Sequence, residues 1–384
     1  MQLLFVADGR SPTARNWIQY WIARRDEVYL ASTFPCDPIP HLAGLEIVPV
    51  AFSGRGAPAA SAPPAKDARL INLRQTVRHW LGPLTLPRDA RRLRALVERI
   101  QPDLVHALRI PYEGMLAANA GLRVPLIVSV WGNDFTLHAN STPLMKHHTQ
   151  WTMLAANALH ADCERDIRLA RQWGLDASKP TLVAPGNGGI RTDVFFPSAP
   201  PVEEPVIFNP RGFRAYVRND TFFQAIPLAL KEISNARFVC ANMAGQADAL
   251  HWVNKLGIGK SVELLGPRSH AEMANVYRGA MILVSPSTHD GTPNTLLEGM
   301  ACGCFPIAGD LESIREWITD GVNGLLVDSG NPSALADAMV RVVKNKDLRK
   351  QAAGQNEAII ASRAEYTRNM ARAEELYQKV TGKW

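Results

Sequence analysis

The residues best placed to do chemistry lie in the stretch 285–330. An apolar run at 281–284 leads into a polar loop holding Asp290, Gly291, Thr292, Pro293 and Asn294. A helical pattern follows and carries a second acid, Glu298. Eight helical residues would separate the two acids by roughly 12 Å. With Asp290 in the loop, the pair can instead reach opposite ends of one bound molecule. Between them the first helical turn, around Pro293 to Leu296, offers unpaired N–H groups as an anion site. An acid at each end and an anion site between suit a nucleotide sugar: ribose, diphosphate, hexose. The competing reading is plain helix capping, which acids at helix starts commonly perform.

These residues need a frame, and the apolar pattern supplies one. Residues 3–7, 28–32, 45–51, 104–107, 126–130, 158–162 and 181–184 read as buried strands in the first half. In the second half 206–208, 237–241, 262–265, 281–284, 305–308 and 325–327 read the same way. Helical patterns alternate with them, as at 13–24, 111–120 and 143–156. Such alternation predicts two parallel-sheet domains, with ligands bound beyond the carboxyl ends of the strands. The proline-rich stretch 196–205 reads as a linker, and the small-residue and proline stretch 53–66 as a mobile loop. A long helical pattern closes the chain at 361–379.

Composition bounds the function. The 384 residues suffice for two domains, and 46% hydrophobic against 20% charged residues marks a core-forming sequence. Five cysteines (Cys36, Cys163, Cys240, Cys302, Cys304) without a Cys-x-x-Cys pair read as small buried residues in a reducing compartment. The N-terminus lacks a basic segment before its short apolar run and reads as a first strand, not a signal peptide. No run of 18 apolar residues predicts a membrane span. The net charge of +6 falls within residues 1–190. Arg69, Arg74, Arg78, Arg88, Arg91, Arg92, Arg94 and Arg99 carry much of it, interleaved with Trp80, Leu81, Leu93 and Leu96. Two readings stand for that region: a solvated helix face, or a surface for a membrane leaflet or a phosphate-bearing acceptor. The modest excess and the lack of a nucleic-acid motif argue against nucleic acid.

The segment 290–327 resembles the signature of retaining glycosyltransferases of family 4, the group 1 glycosyl transferases. There a Glu, seven residues and a second Glu precede a small-residue run. Glu298-Gly299-Met300-Ala301-Cys302-Gly303 matches the second acid and the run, and Asp290 stands one methylene shorter at the first. Glu316-Trp317, Asp320-Gly321, Asn323-Gly324 and 325–327 also fit. The resemblance covers nearly the whole chain and is strongest over 211–330. It implies an α/β fold of the GT-B class: two Rossmann-like domains facing across a cleft, with a C-terminal helix crossing back to the first. The implied division is 1–198 for the acceptor domain, 199–362 for the donor domain and 363–384 for the returning helix.

The resemblance also implies roles. Sugar passes from a nucleotide-sugar donor, UDP-linked in preference to GDP-linked, to a glycan, lipid-linked or small-molecule acceptor with retained anomeric configuration. Asp290, Arg211 and Arg218 stand at the catalytic positions. Glu298 would accept from the ribose, and Asp290 would contact the transferred sugar. Gly291, Thr292, Pro293, Asn294, Thr295 and Leu296 would bind the diphosphate together with the two arginines, and Arg214 could share that work. Fixed cations there stabilise the charge growing on the leaving group more than they stabilise the ground state. Gly266, Pro267 and Arg268 would hold the base, and Gly9 would form the tight turn near the diphosphate. Arg10, Ser11, Trp131, Asn133, Asp134 and His106 are the expected acceptor or sugar contacts. Trp131 stands where many relatives carry a His, so that His role does not transfer. No metal and no resident cofactor are implied. The setting implied is cytoplasmic synthesis of surface polysaccharide or glycoconjugate, with a peripheral contact to the inner face of the plasma membrane. The alternatives are a nucleotide-sugar epimerase and a catalytically silent binding protein of the same fold. A nicotinamide dehydrogenase is disfavoured by the lack of a Gly-x-Gly-x-x-Gly turn.

Overall fold

The computed structural model describes residues 1–53, 76–199, 201–214 and 216–383. Arg69, Arg74, residues 54–66 of the expected loop and Pro200 of the expected linker lie outside the described residues. The chain forms two compact units, Met1–Gly188 with Arg368–Trp384, and Gly189–Thr367. The division falls ahead of the proline-rich stretch 196–205, which belongs to the second unit.

In the first unit seven strands form one parallel sheet: β1 (Gln2–Ala7), β2 (Glu27–Ser32), β3 (Gly44–Ile47), β4 (Leu104–Ala107), β5 (Leu126–Val130), β6 (Ala158–Ala161) and β7 (Thr181–Val183). Their order is β3-β2-β1-β4-β5-β6-β7. Residues in β4, β5 and β6 are buried throughout, as apolar runs covered on both faces must be. The third strand stops short of the expected residue 51. Val48 still donates to Ser32 O at 2.8 Å, but Ala51 and Phe52 then take φ values of 51° and 65°, which turn the chain away. The order reverses between β1 and β4, so the loops after Ala7 and Ala107 diverge and leave a crevice at the strand ends.

The first helix (Pro12–Ala23) starts on Ser11, whose side chain accepts the Ala14 N–H, and on Pro12. It buries Ala14, Trp17, Ile18 and Trp21, one apolar stripe at helical spacing. Against that stripe lies the C-terminal helix (Tyr366–Thr381), part of this unit from Arg368 onward. The Tyr377 ring stacks on Trp21 at 4.1 Å between centroids. Its hydroxyl accepts from Trp17 Nε1 at 3.1 Å and donates to His106 Nδ1 at 2.5 Å. His106 Nε2 then donates to Ser129 Oγ at 2.9 Å, and that hydroxyl donates to His160 Nδ1 at 2.8 Å. His160 Nε2 ends the chain on Ala184 O at 3.0 Å. One set of tautomers satisfies every member. Burial keeps both imidazoles neutral, lowering His160 to about 4 and His106 well below its usual value.

The second unit repeats the design with β8 (Val206–Asn209), β9 (Arg237–Cys240), β10 (Val262–Leu264), β11 (Ile282–Ser285), β12 (Phe305–Gly309) and β13 (Leu325–Val327). The parallel order is β10-β9-β8-β11-β12-β13, reversing between β8 and β11. Gly299, in the helix Asn294–Ala301, packs so closely that a Cβ there would sit 2.7 Å from Leu283 Cδ2 on β11. The small-residue run after Glu298 is therefore a close helix–sheet contact. All five cysteines are free, and four are buried. Among the described residues no helix is long and apolar enough to cross a membrane.

The buried chain through Tyr377 predicts a sharp stability effect. Tyr377→Phe keeps the stacked ring but leaves His106 Nδ1 and Trp17 Nε1 without their partner. Urea unfolding should show a loss on the order of 1–3 kcal/mol. An unchanged midpoint would mean that the hydroxyl does not tie this helix to the sheet.

Candidate functional site

The reversal point of the second sheet gathers the charged residues. At the end of β8, Asn209 donates through Nδ2 to Asn219 Oδ1 at 2.8 Å and accepts the Arg211 N–H at 3.1 Å. Asn219 in turn donates to Gly212 O at 3.2 Å. Both asparagines are buried, and together they fix the backbone that presents Arg211. The Arg211 guanidinium donates to Ser287 Oγ at 3.3 Å, forms an ion pair with Asp290 and lies over the Tyr216 ring at 5.5 Å. Burial opposes its charge, but Asp290 and then Tyr216 more than compensate and hold its pKa above the usual value.

The loop carrying Asp290 is tied on several sides. Thr288 N–H donates to Tyr216 O at 2.9 Å, and Arg218 N–H to Pro286 O at 3.0 Å. Ser313 Oγ donates to Asp290 O at 2.7 Å, and Trp317 Nε1 to Thr292 Oγ1 at 2.9 Å. Gly309, at the end of β12, backs the loop so closely that any side chain there would collide with Ser287 O and Ser329 Oγ.

The helix Asn294–Ala301 then begins at Pro293 with no side-chain cap. The first two amides, of Asn294 and Thr295, are thus left for an anion, while the Leu296 N–H donates to Pro293 O at 3.0 Å. Asn294 Oδ1 is buried there without a hydrogen-bond partner. One turn on, Glu298 is 8% exposed and accepts the Tyr277 hydroxyl at 3.0 Å. Burial pushes its carboxyl up to about 7, and the Tyr277 hydrogen bond only partly counters that. The two acids thus sit in opposite environments: Asp290 against a guanidinium, Glu298 in a nearly apolar pocket.

The structure brings Arg211, Asp290 and Ser287 together and leaves other expected residues nearby but engaged. The Arg218 guanidinium pairs with Asp220 at 2.8 Å, and Arg214 donates to the Tyr216 hydroxyl at 3.2 Å. Gly266 follows β10, where an added Cβ would meet nothing within 4 Å. Arg268 lies 3.8 Å from Glu272, beside the capping box of Ser269 and Glu272. Ser287, Ser313 and Tyr277 were not foreseen. Nothing local marks them, since their partners lie 76, 23 and 21 residues away.

In the first unit Gly9 donates its N–H to Ser32 Oγ at 3.0 Å, and a side chain there would collide with Cys36 and Ser32. Arg10 is held by both Asp8 oxygens, at 3.0 and 2.9 Å, and lies 3.7 Å over the Phe34 ring. Ser11 is spent as a helix cap. Trp131 lies against Gly186, with its indole nitrogen buried and unpartnered. Asn133 is half-buried, and its carbonyl accepts the Leu137 N–H at 2.9 Å. Two expected sugar contacts turn out to be internal. Asp134, wholly buried, accepts from Arg109 at 2.7 Å, Ile110 N–H at 3.0 Å and Trp131 N–H at 3.2 Å. His106 has both ring nitrogens engaged in the buried chain. The donor atoms of Asp162, Cys163 and Asp166 lie within 4.8 Å of one another, as a metal would require. The buried Arg165 guanidinium, 2.8 Å from Asp166, already supplies positive charge there.

Comparison with known proteins places this geometry. Residues 206–345 match the family described as glycosyl transferases group 1, and residues 8–186 match the glycosyl transferase 4-like domain. A D-inositol 3-phosphate glycosyltransferase of Corynebacterium jeikeium is 38% identical over 95 residues, 25% of this chain and 23% of that protein. The chain thus spans about a quarter of the length of such curated relatives. Among solved structures, sucrose-phosphate synthase from Thermosynechococcus elongatus superposes with a TM-score of 0.75 at 16% identity, over 100% of both chains. Anabaena HepE, solved in complex with UDP-glucose, gives 0.72 at 17% identity, over 98% of this chain and 99% of that one. At such identities the likeness establishes the fold. With one of the two family models on each unit, the chain belongs to the group 1 glycosyl transferases of the family 4 type and has their two-domain α/β GT-B fold.

Proposed function

We propose that the chain is a retaining glycosyltransferase and that its second unit binds the nucleotide-sugar donor, a UDP-sugar in preference to a GDP-sugar. The observation that carries this reading is the Arg211–Asp290 pair at the strand-order reversal, set ahead of an uncapped helix start and Glu298. The complex of HepE with UDP-glucose, in the same fold, supports the choice of donor. In this reading the diphosphate takes hydrogen bonds from Arg211 and the helix amides. Asp290 is then released to the hydroxyls of the transferred sugar, and Glu298 takes the ribose. The bond from the anomeric carbon to the diphosphate oxygen breaks, and the acceptor hydroxyl attacks the same face. Its proton passes to the leaving phosphate. Arg211 and the amides act most strongly on the charge that grows on that phosphate. These groups hold the diphosphate without a metal or resident cofactor.

The two acids should therefore fail differently. Glu298→Ala should weaken UDP binding by about 10- to 100-fold, the loss of a hydrogen bond to a charged group. Asp290→Ala should not weaken UDP binding, because it frees Arg211 for the diphosphate, while nucleotide release with acceptor falls by about 100-fold or more. Titration calorimetry and a release assay run in EDTA separate the cases. Equal losses of UDP affinity in both variants would sink this assignment.

A pH signature follows from Glu298. The neighbouring Tyr277 hydroxyl and Cys302 thiol are pushed upward by burial and stay neutral at pH 7, so Glu298 titrates alone in its pocket. A ribose hydroxyl donating to its carboxylate favours the ionised form and lowers its pKa from about 7. UDP binding should then release a fraction of a proton near pH 7, and affinity should rise with pH until the free group is ionised. Calorimetry in buffers of different ionisation enthalpy measures this release. Its persistence in Glu298→Gln would assign the proton elsewhere.

We also propose a peripheral contact between the first unit and an anionic membrane surface on the cytoplasmic side, as in glycoconjugate synthesis on lipid-linked or surface glycans. Trp80, Leu81 and Leu84 are exposed apolar residues, Leu84 at 63%. They precede the helix Leu86–Ile100, which exposes Arg88, Arg91 and Arg92. Apolar residues beside a basic face fit an anionic lipid surface. The protein should sediment with phosphatidylglycerol vesicles and not with phosphatidylcholine, and the Trp80→Ser, Leu84→Ser double variant should lose most of that binding. Equal partition to both vesicle types would remove the electrostatic argument.

A further inference from the structure

The reversal point of the first sheet holds a cavity that the donor reading does not use. Its volume is about 390 Å³, within the roughly 300–1,000 Å³ typical of small-molecule sites. The loop after β1 contributes Asp8 and Arg10, and the segment after β4 contributes Arg109, Tyr112 and Glu113. Arg78, His79 and His138 close the lining.

The charges here are unevenly matched. Arg10 is paired with Asp8, and Arg109 with Asp134. Arg78 has no carboxylate partner among the described residues. Its guanidinium lies over Phe34 at 4.9 Å and Tyr112 at 4.7 Å, and its Nε is buried without a hydrogen bond. The Tyr112 hydroxyl donates to Arg78 O at 2.6 Å and fixes the backbone that carries it. His79 and His138 contact each other at 3.2 Å, and burial lowers both pKa values, so they supply neutral polar groups.

Glu113 completes the set. It is 2% exposed, and one oxygen accepts the Thr33 hydroxyl at 2.6 Å. The other oxygen is buried with no partner. Burial raises this carboxyl to about 7. Arg109, at the cavity wall, has a φ of 112° and a ψ of 163°, a sparsely populated conformation for a residue with a side chain. Such strain persists where surrounding contacts impose it, as Asp134 does here through Arg109 and the next N–H.

We propose that this cavity is a subsite for a phosphorylated, polyhydroxylated ligand, with Arg78 taking the phosphate beside Arg10 and Arg109, and the open oxygen of Glu113 taking a hydroxyl. A guanidinium with no carboxylate in ion-pair range binds phosphate through two parallel hydrogen bonds, and a buried acceptor without a donor rewards a ligand that brings one. That the ligand is the sugar acceptor rests on the transfer reading above; that the cavity binds it does not.

The test titrates the full chain with glucose 6-phosphate, inorganic phosphate and glucose. The sugar phosphate should bind at least tenfold tighter than either of the others. Arg78→Gln should weaken it at least tenfold, and Glu113→Gln should bring it down to the level of inorganic phosphate. UDP affinity should stay unchanged in both variants, which also reports that they fold. Glucose binding as tightly as its phosphate, or Arg78→Gln without effect, overturns the proposal. Vesicles bearing phosphatidylinositol 4-phosphate identify the source of the phosphate. Binding lost in Arg78→Gln and displaced by glucose 6-phosphate assigns a lipid headgroup, and sugar-phosphate binding without it assigns a soluble ligand. Failure of UDP to bind while the sugar phosphate binds would remove the transfer reading and leave this subsite standing.

Discussion

Two opposite charges meet where the second sheet reverses its strand order, and the surrounding structure is arranged to keep them there. Arg211 and Asp290 are both nearly buried, and each would be costly alone. The pair persists because the backbone on both sides is fixed. Asn209 and Asn219 hold the Arg211 loop, while Ser313 and Trp317 hold the Asp290 loop. A parallel sheet supplies the place for this. Its loops separate only at the reversal, so only there can charged side chains approach a ligand without breaking the core. In the proposed transfer a phosphate that displaces Asp290 would keep Arg211 paired, so the cation would need no rearrangement as charge grows on the leaving group.

The first unit uses the same topology but divides its polar residues differently. One set is consumed by architecture. Trp17, Tyr377, His106, Ser129 and His160 satisfy one another in a chain that ends on the Ala184 carbonyl. Asp134 spends its oxygens on Arg109 and two backbone amides. The other set, Arg78 and one oxygen of Glu113, is left incomplete at the reversal point. Residue type alone does not separate the two sets. What separates them is whether the fold itself supplies the partner.

That distinction also explains what the sequence could reveal. All thirteen strands of the described residues were legible, because parallel strands buried on both faces leave short apolar runs. The end of β3 was not, because Val48 and Val50 continue the apolar run beyond Ile47, the last paired residue, and the chain turns away at Ala51. Asp290, Glu298 and Arg211 were legible because each sits at a strand end or helix start. The Tyr277 partner of Glu298 was not, and neither was the Tyr377 partner of His106, which is 271 residues away. A sequence records that a polar residue will be buried more readily than it records what will satisfy it.

The two carboxylates of the second unit show why partners matter for chemistry. Asp290 and Glu298 look alike in sequence, two acids flanking a helix start. In the fold one faces a guanidinium and the other faces a tyrosine hydroxyl inside an apolar pocket. Environments that differ this much assign different work to the same functional group. A carboxylate bound to a cation exchanges that cation for another ligand group, which fits the reacting end of the donor in the proposed transfer. A carboxyl poised near 7 by burial gains from any hydroxyl that completes its hydrogen bonding, which fits the ribose end in the proposed transfer, where charge does not move. Gly299 and Gly309 sharpen the separation by pressing helix and loop against the sheet, which fixes both acids to the same rigid base.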